Sequence, residues 1–131
     1  MAVSVVLDTS AYSAFYRADI RLKPYFNGDN SLIVPLIVVG ELRAGFALGN
    51  RQRDNNVLLN RFLNSPHVNT VGITDATTSI YASIFRGLHQ AGRPIGTNDM
   101  WIAAIALEHN HPLLTLDTDF SHVPGLKLTP I

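Results

Sequence analysis

The chain alternates short, β-branched apolar runs with longer segments of helical periodicity, and few folds accommodate that alternation. Residues 3–7, 32–34, 68–73, 113–116 and 126–128 read as strands. Residues 9–17, 35–48, 51–64 and 97–110 read as helices, as does a segment capped by Thr74 and Asp75. That last segment carries Ile80, Tyr81, Ile84, Phe85 and Leu88 at three- and four-residue steps, one apolar face of a helix. Pro35 suits a helix start, Gly49-Asn50 a helix end, and Ser65-Pro66 a break. The pattern predicts an α/β fold, a parallel sheet with helices packed on both faces. With 131 residues and 47% hydrophobic content, one core and one domain, 1–131, are expected.

Four of the ten acidic residues sit beside core-forming segments, where a carboxylate has least structural use. Asp8 ends the first strand, Glu41 interrupts the apolar start of the second helix, Asp99 opens the apolar helix after Thr97-Asn98, and Asp117 follows Leu116. In parallel α/β sheets, ligands bind beyond the carboxyl ends of the strands, so these distant acids can meet at one edge. Each also has a plainer use. Asp8 and Asp99 can cap or complement helix N-termini, and Asp117 can close an Asx turn with Asp119 nearby. Glu41 is hardest to explain that way, because Ile37, Val38, Leu42 and Gly45 around it are apolar or small.

Converging carboxylates repel one another and take up protons unless a cation joins them. Oxygen-ligated Mg²⁺, with Mn²⁺ as substitute, reverses that preference. Such an ion would activate water for attack on a phosphodiester. The chain has no cysteine, which removes disulfides, thiolate metal sites and thiol nucleophiles, and agrees with a cytoplasmic location. No basic leader and no apolar run long enough to span a bilayer is seen. A formal net charge of zero argues against a surface that binds nucleic acid by charge alone. The basic clusters Arg17, Arg21, Lys23 and Arg51, Arg53, Arg61 read as solvated helix faces. The five histidines show no ligand spacing, and Trp101 reads as core.

These residues resemble the PIN-domain family, most closely its VapC branch of toxin ribonucleases from type II toxin–antitoxin systems. The resemblance rests on Val5-Val6-Leu7-Asp8-Thr9-Ser10 and Val39-Gly40-Glu41-Leu42-Arg43-Ala44-Gly45. It continues through Ile95-Gly96-Thr97-Asn98-Asp99-Met100-Trp101-Ile102-Ala103-Ala104 and Leu114-Thr115-Leu116-Asp117-Thr118-Asp119-Phe120, and covers nearly the whole chain. It implies a PIN-like three-layer sandwich with a parallel five-stranded sheet. It also implies an Mg²⁺- or Mn²⁺-dependent endoribonuclease acting on structured RNA, tRNA or rRNA, through in-line attack that leaves a 5′-phosphate. Asp8, Glu41 and Asp99 match the family's acidic triad and Asp117 its fourth acid, as metal ligands and catalytic residues. Thr9, Asn98 and Asp119 match supporting positions. A homodimer, a cognate VapB-like antitoxin and no membrane association are implied as well. Two other classes compete: a metal-dependent phosphatase, which Ser10 disfavours because a second aspartate is usual there, and a non-catalytic RNA-binding regulatory module.

Overall fold

Ser4–Leu7 forms strand β1 because three consecutive apolar residues are buried on both faces of a sheet, as a parallel strand between helix layers must be. The computed structural model describes residues 2–131, and the remaining elements follow the same logic. Helix α1 is Thr9–Tyr16, α2 Lys23–Phe26, β2 Ser31–Pro35, α3 Leu36–Leu48 and α4 Gln52–Leu63. Then come β3 Val68–Val71, α5 Asp75–Ala91, α6 Thr97–Glu108, β4 Leu113–Leu114 and a 3₁₀ turn, Thr118–His122. The short helix α2 and the 3₁₀ turn are not expected from the sequence pattern. Both are too brief to show a period.

The four strands are all parallel in the order β3-β2-β1-β4. Their carboxyl ends therefore open on one edge, with β1 and β4 as neighbours. The expected five-stranded sheet is corrected to four strands. Residues 126–128 make only one parallel bridge, Leu113↔Leu128, held by Leu113 N to Lys127 O at 2.8 Å and Thr129 N to Leu113 O at 2.9 Å. The partner strand β4 is only two residues long and Pro130 has no N–H to extend the ladder, so the pairing stops at that bridge. Two expected strands also shorten, 68–73 to Val68–Val71 and 113–116 to Leu113–Leu114.

Helix α6 is the central helix, with Met100 and Ile102–Ala106 all buried. Its C-terminal Glu108 accepts hydrogen bonds from the hydroxyls of Thr74 and Thr77 at the start of α5, which locks the two helices together. Thr74 and Thr77 also form a capping box for α5, which ends at Gly92 in the left-handed region (φ +66°). Phe120 is buried and anchors the 3₁₀ turn to the core. Among the described residues no helix is long and apolar enough to cross a membrane.

Candidate active site

Asp8 leaves β1 in extended conformation and caps α1, its Oδ1 accepting the Ala11 N–H at 2.9 Å. It is only 4% exposed, so its charge faces protein rather than water. The Ser10 hydroxyl donates to Oδ1 at 2.7 Å, and the Thr115 hydroxyl donates to Oδ2. Burial nevertheless wins: the Asp8 pKa lies above the ordinary carboxylate value, these hydrogen bonds oppose the rise, and the Asp117 charge adds to it.

Glu41 lies in α3 and is gripped from two elements. Thr9 at the start of α1 donates to its Oε1 at 2.7 Å, and Asn98 in the first turn of α6 donates to its Oε2 at 3.3 Å. Thr9 and Asn98 therefore orient a carboxylate. Arg43 gives Glu41 no counter-charge, because it reaches across to Asn56 and Asn60 on α4.

Asp99 is the third residue of α6, whose N-terminal dipole favours its ionised form by about 0.3–1 kcal/mol. Its pKa is still pushed up to about 6. Partial burial is the largest cause, followed by the charges of Asp117, Glu41, Asp8 and Asp119 in that order. The helix dipole loses to this combination. Asp99 thus feels every other acid in the set, which is the electrostatic mark of their convergence.

Asp117 follows β4 and caps the 3₁₀ turn, accepting the Asp119 N–H at 2.9 Å. The plainer Asx-turn use is realised, yet the same carboxylate is the first-ranked charge acting on Asp99. Asp119 is exposed and its charge is the weakest of those acting on Asp99. Glu41, Gly96, Thr97, Asn98 and Asp99 line an open cleft of about 320 Å³. A larger hollow of about 400 Å³, lined by Phe15, Ala18, Asp19, Ile20, Lys23 and Asn27, contains none of the converging acids, so volume alone does not find the site.

The donor set is all oxygen, which suits a hard divalent cation. Among the described residues no three Asp, Glu or His side chains close tightly enough to hold an ion by themselves. An Mg²⁺ or Mn²⁺ ion here would need waters and substrate phosphate beside one or two carboxylates, as Mg²⁺ usually does. Burial, and behind it the neighbouring carboxylate charges, raises the pKa values of Asp8 and Asp99, and a cation would favour the ionised form of both. Trp101 stacks on Tyr81 with ring centroids 3.9 Å apart and is only partly buried, so it belongs to the α5–α6 seam. Ser10 and Thr115 contact Asp8 but have no assigned role in the sequence reading. A threonine within the apolar run Leu113-Leu114-Thr115-Leu116 was the available signal.

A parallel sheet with four carboxylates gathered beyond its carboxyl edge is the architecture of one known class, and the chain belongs to it: the PIN domain family model matches residues 5–126. Within that family the chain is VapC-like. It is 32% identical to "Ribonuclease VapC" of Rickettsia bellii, with 98% of this chain and 97% of the relative aligned. Among solved structures it is similar to VapBC2 from Rickettsia felis bound to a promoter DNA fragment (TM-score 0.83, 25% identity, 97% and 98% of the two chains). It is also similar to VapBC-5 from Mycobacterium tuberculosis (TM-score 0.75, 26% identity, 98% and 99%).

Proposed function

We propose that residues 1–131 act as one PIN domain, the toxin of a type II toxin–antitoxin pair, and that it is an Mg²⁺-dependent endoribonuclease for which Mn²⁺ substitutes. The observation that carries this reading is that Glu41 and Asp99 line one cleft at the carboxyl edge of the sheet, with Asp8 and Asp117 near enough for their charges to act on Asp99. Asp8, Glu41, Asp99 and Asp117 would surround the ion as its candidate ligands, with water and substrate phosphate completing the coordination. Such an ion supplies charge neutralisation and Lewis acidity toward a phosphodiester. Asp99 must give up its proton before it can serve, and burial together with the other carboxylates sets how readily it does so. Thr9 and Asn98 hold Glu41 facing the cleft, and the exposed Asp119 adds a weaker negative charge acting on Asp99.

The substrate of this reading is structured RNA, tRNA or rRNA, and the partner is a VapB-like antitoxin. Support for the partner comes from the resemblance to solved VapBC assemblies. The toxin itself would be a cytoplasmic homodimer. The test is cleavage of total RNA by the purified protein in Mg²⁺, with mapping of 5′ ends. Loss of cleavage in EDTA and in Asp8→Asn, with 5′-phosphate ends in the wild type, is expected. Undiminished cleavage in excess EDTA would refute the metal mechanism, and growth arrest by Asp8→Asn would favour a binding module.

A further inference from the structure

We infer that Ser10 and Thr115 are positioning residues, a pair of hydroxyls that clip the segment bearing Asp117 onto Asp8. The inference deepens the proposed reading of the carboxylate site and rests on it. The starting point is how little sheet holds that segment. Strand β4 is two residues long, its register with β1 ends at Leu7↔Leu114, and the last bond between them, Asp8 N to Leu114 O, is stretched to 3.4 Å. Nothing in the β-ladder reaches Leu116 or Asp117.

Backbone N–H groups near a buried site need acceptors, and here two side chains provide them. Leu116 N donates to Ser10 Oγ at 3.0 Å, and Asp117 N donates to Thr115 Oγ1 at 3.0 Å. Each hydroxyl has a single proton, and both are directed at Asp8, Ser10 to Oδ1 and Thr115 to Oδ2. The 3.3 Å approach of the two hydroxyl oxygens is then a contact between two acceptors whose protons are committed elsewhere. Each hydroxyl thus donates to the carboxylate and accepts from the backbone at once. Valine or alanine can do neither. With the Ala11 N–H, three of the roughly four lone-pair positions of Asp8 are filled, leaving Oδ2 as the atom with one available toward a cation. Thr115 is only 7% exposed, so its hydroxyl has little access to solvent as an alternative partner. The clip sets the direction of Asp8 and the place of Asp117 together.

The test uses the full chain free of antitoxin, as wild type, Thr115→Val, Thr115→Ser, Ser10→Ala and the Thr115→Val/Ser10→Ala double variant. Mn²⁺ alone is titrated calorimetrically, and kcat and KM for RNA cleavage are measured beside it. Thr115→Val is expected to weaken Mn²⁺ binding by roughly 10- to 100-fold, as loss of partners that orient metal ligands typically does. It should lower kcat with KM little changed, and Thr115→Ser should restore both. The double variant should lose less than the product of the single losses, because both hydroxyls act through one carboxylate. Wild-type Mn²⁺ affinity and kcat in Thr115→Val would overturn the clip, even if thermal stability fell, and so would failure of serine to rescue. If Thr115→Val does not fold, Ser10→Ala reads the same clip from the other side, and wild-type affinity there overturns it. A wild type that binds Mn²⁺ without cutting RNA would sink the ribonuclease reading, while the Mn²⁺ affinities still decide the clip. A wild type that binds no Mn²⁺ overturns both.

Discussion

Replacing Asp99 by asparagine is expected to stabilise the metal-free protein while removing its activity, and the size of the gain can be worked from the site. The folded-state pKa of Asp99 is raised from the ordinary 3.8 to about 6. A rise of roughly two units corresponds to about 3 kcal/mol by which ionisation disfavours the folded state. Asp99 is only partly buried, and solvent screening reduces the usable figure to about 1–2 kcal/mol. Because the raised pKa means the folded state binds the proton more tightly, wild-type stability from this group is greatest below about pH 4. It falls as pH rises through the window to about 6. Asparagine resembles the protonated form and escapes that fall. At pH 8 in EDTA the variant should therefore melt roughly 4–7 °C higher, given the usual unfolding entropy for a chain of 131 residues. At pH 3.5 the difference should vanish. Added Mg²⁺ should raise the melting temperature of the wild type and not that of the variant. The assay is calorimetric unfolding at fixed protein concentration across pH. A variant less stable than wild type at pH 8, or equally stabilised at both pH values, would refute the electrostatic reasoning.

Two further outcomes follow from the same structure. At subsaturating Mg²⁺, kcat/KM for RNA cleavage should rise about tenfold per pH unit below about 6, where Asp99 loses its proton, and level off above, with the limb moving to lower pH as Mg²⁺ increases; a profile flat from pH 5 to 8 at low Mg²⁺ would contradict it. Leu59 on α4 is fully buried and apart from the carboxylates, so Leu59→Ala should cost about 2–5 kcal/mol in urea unfolding and leave Mn²⁺ affinity within twofold.

Local signals carry most of the fold. Apolar, β-branched runs mark β1 and β2, the 3.6 period marks α5, Gly49 and Pro66 bracket α4, and the uninterrupted apolar content of α6 marks it as buried. Each depends on neighbours within a few residues, which is why it can be read before the chain is folded. The acids stand out for a similar reason, as charges beside core segments.

What the sequence by itself determined is therefore the order of the four strands and five longer helices along the chain, the parallel α/β class and the identity of the unusual carboxylates. Only the tertiary structure decided which groups meet. Residues 126–128 look like a strand until the two-residue β4 and the missing N–H of Pro130 leave them one bridge to Leu113. Thr9 and Asn98 become the two hands on Glu41 only once α1, α3 and α6 converge. Ser10 and Thr115, separated by 105 residues of chain, are ordinary hydroxyls until β1 and β4 lie side by side. Hydrogen bonding and Coulomb coupling act over a few ångströms of space, not of sequence. Their partners are set by the sheet order β3-β2-β1-β4, which no local pattern encodes.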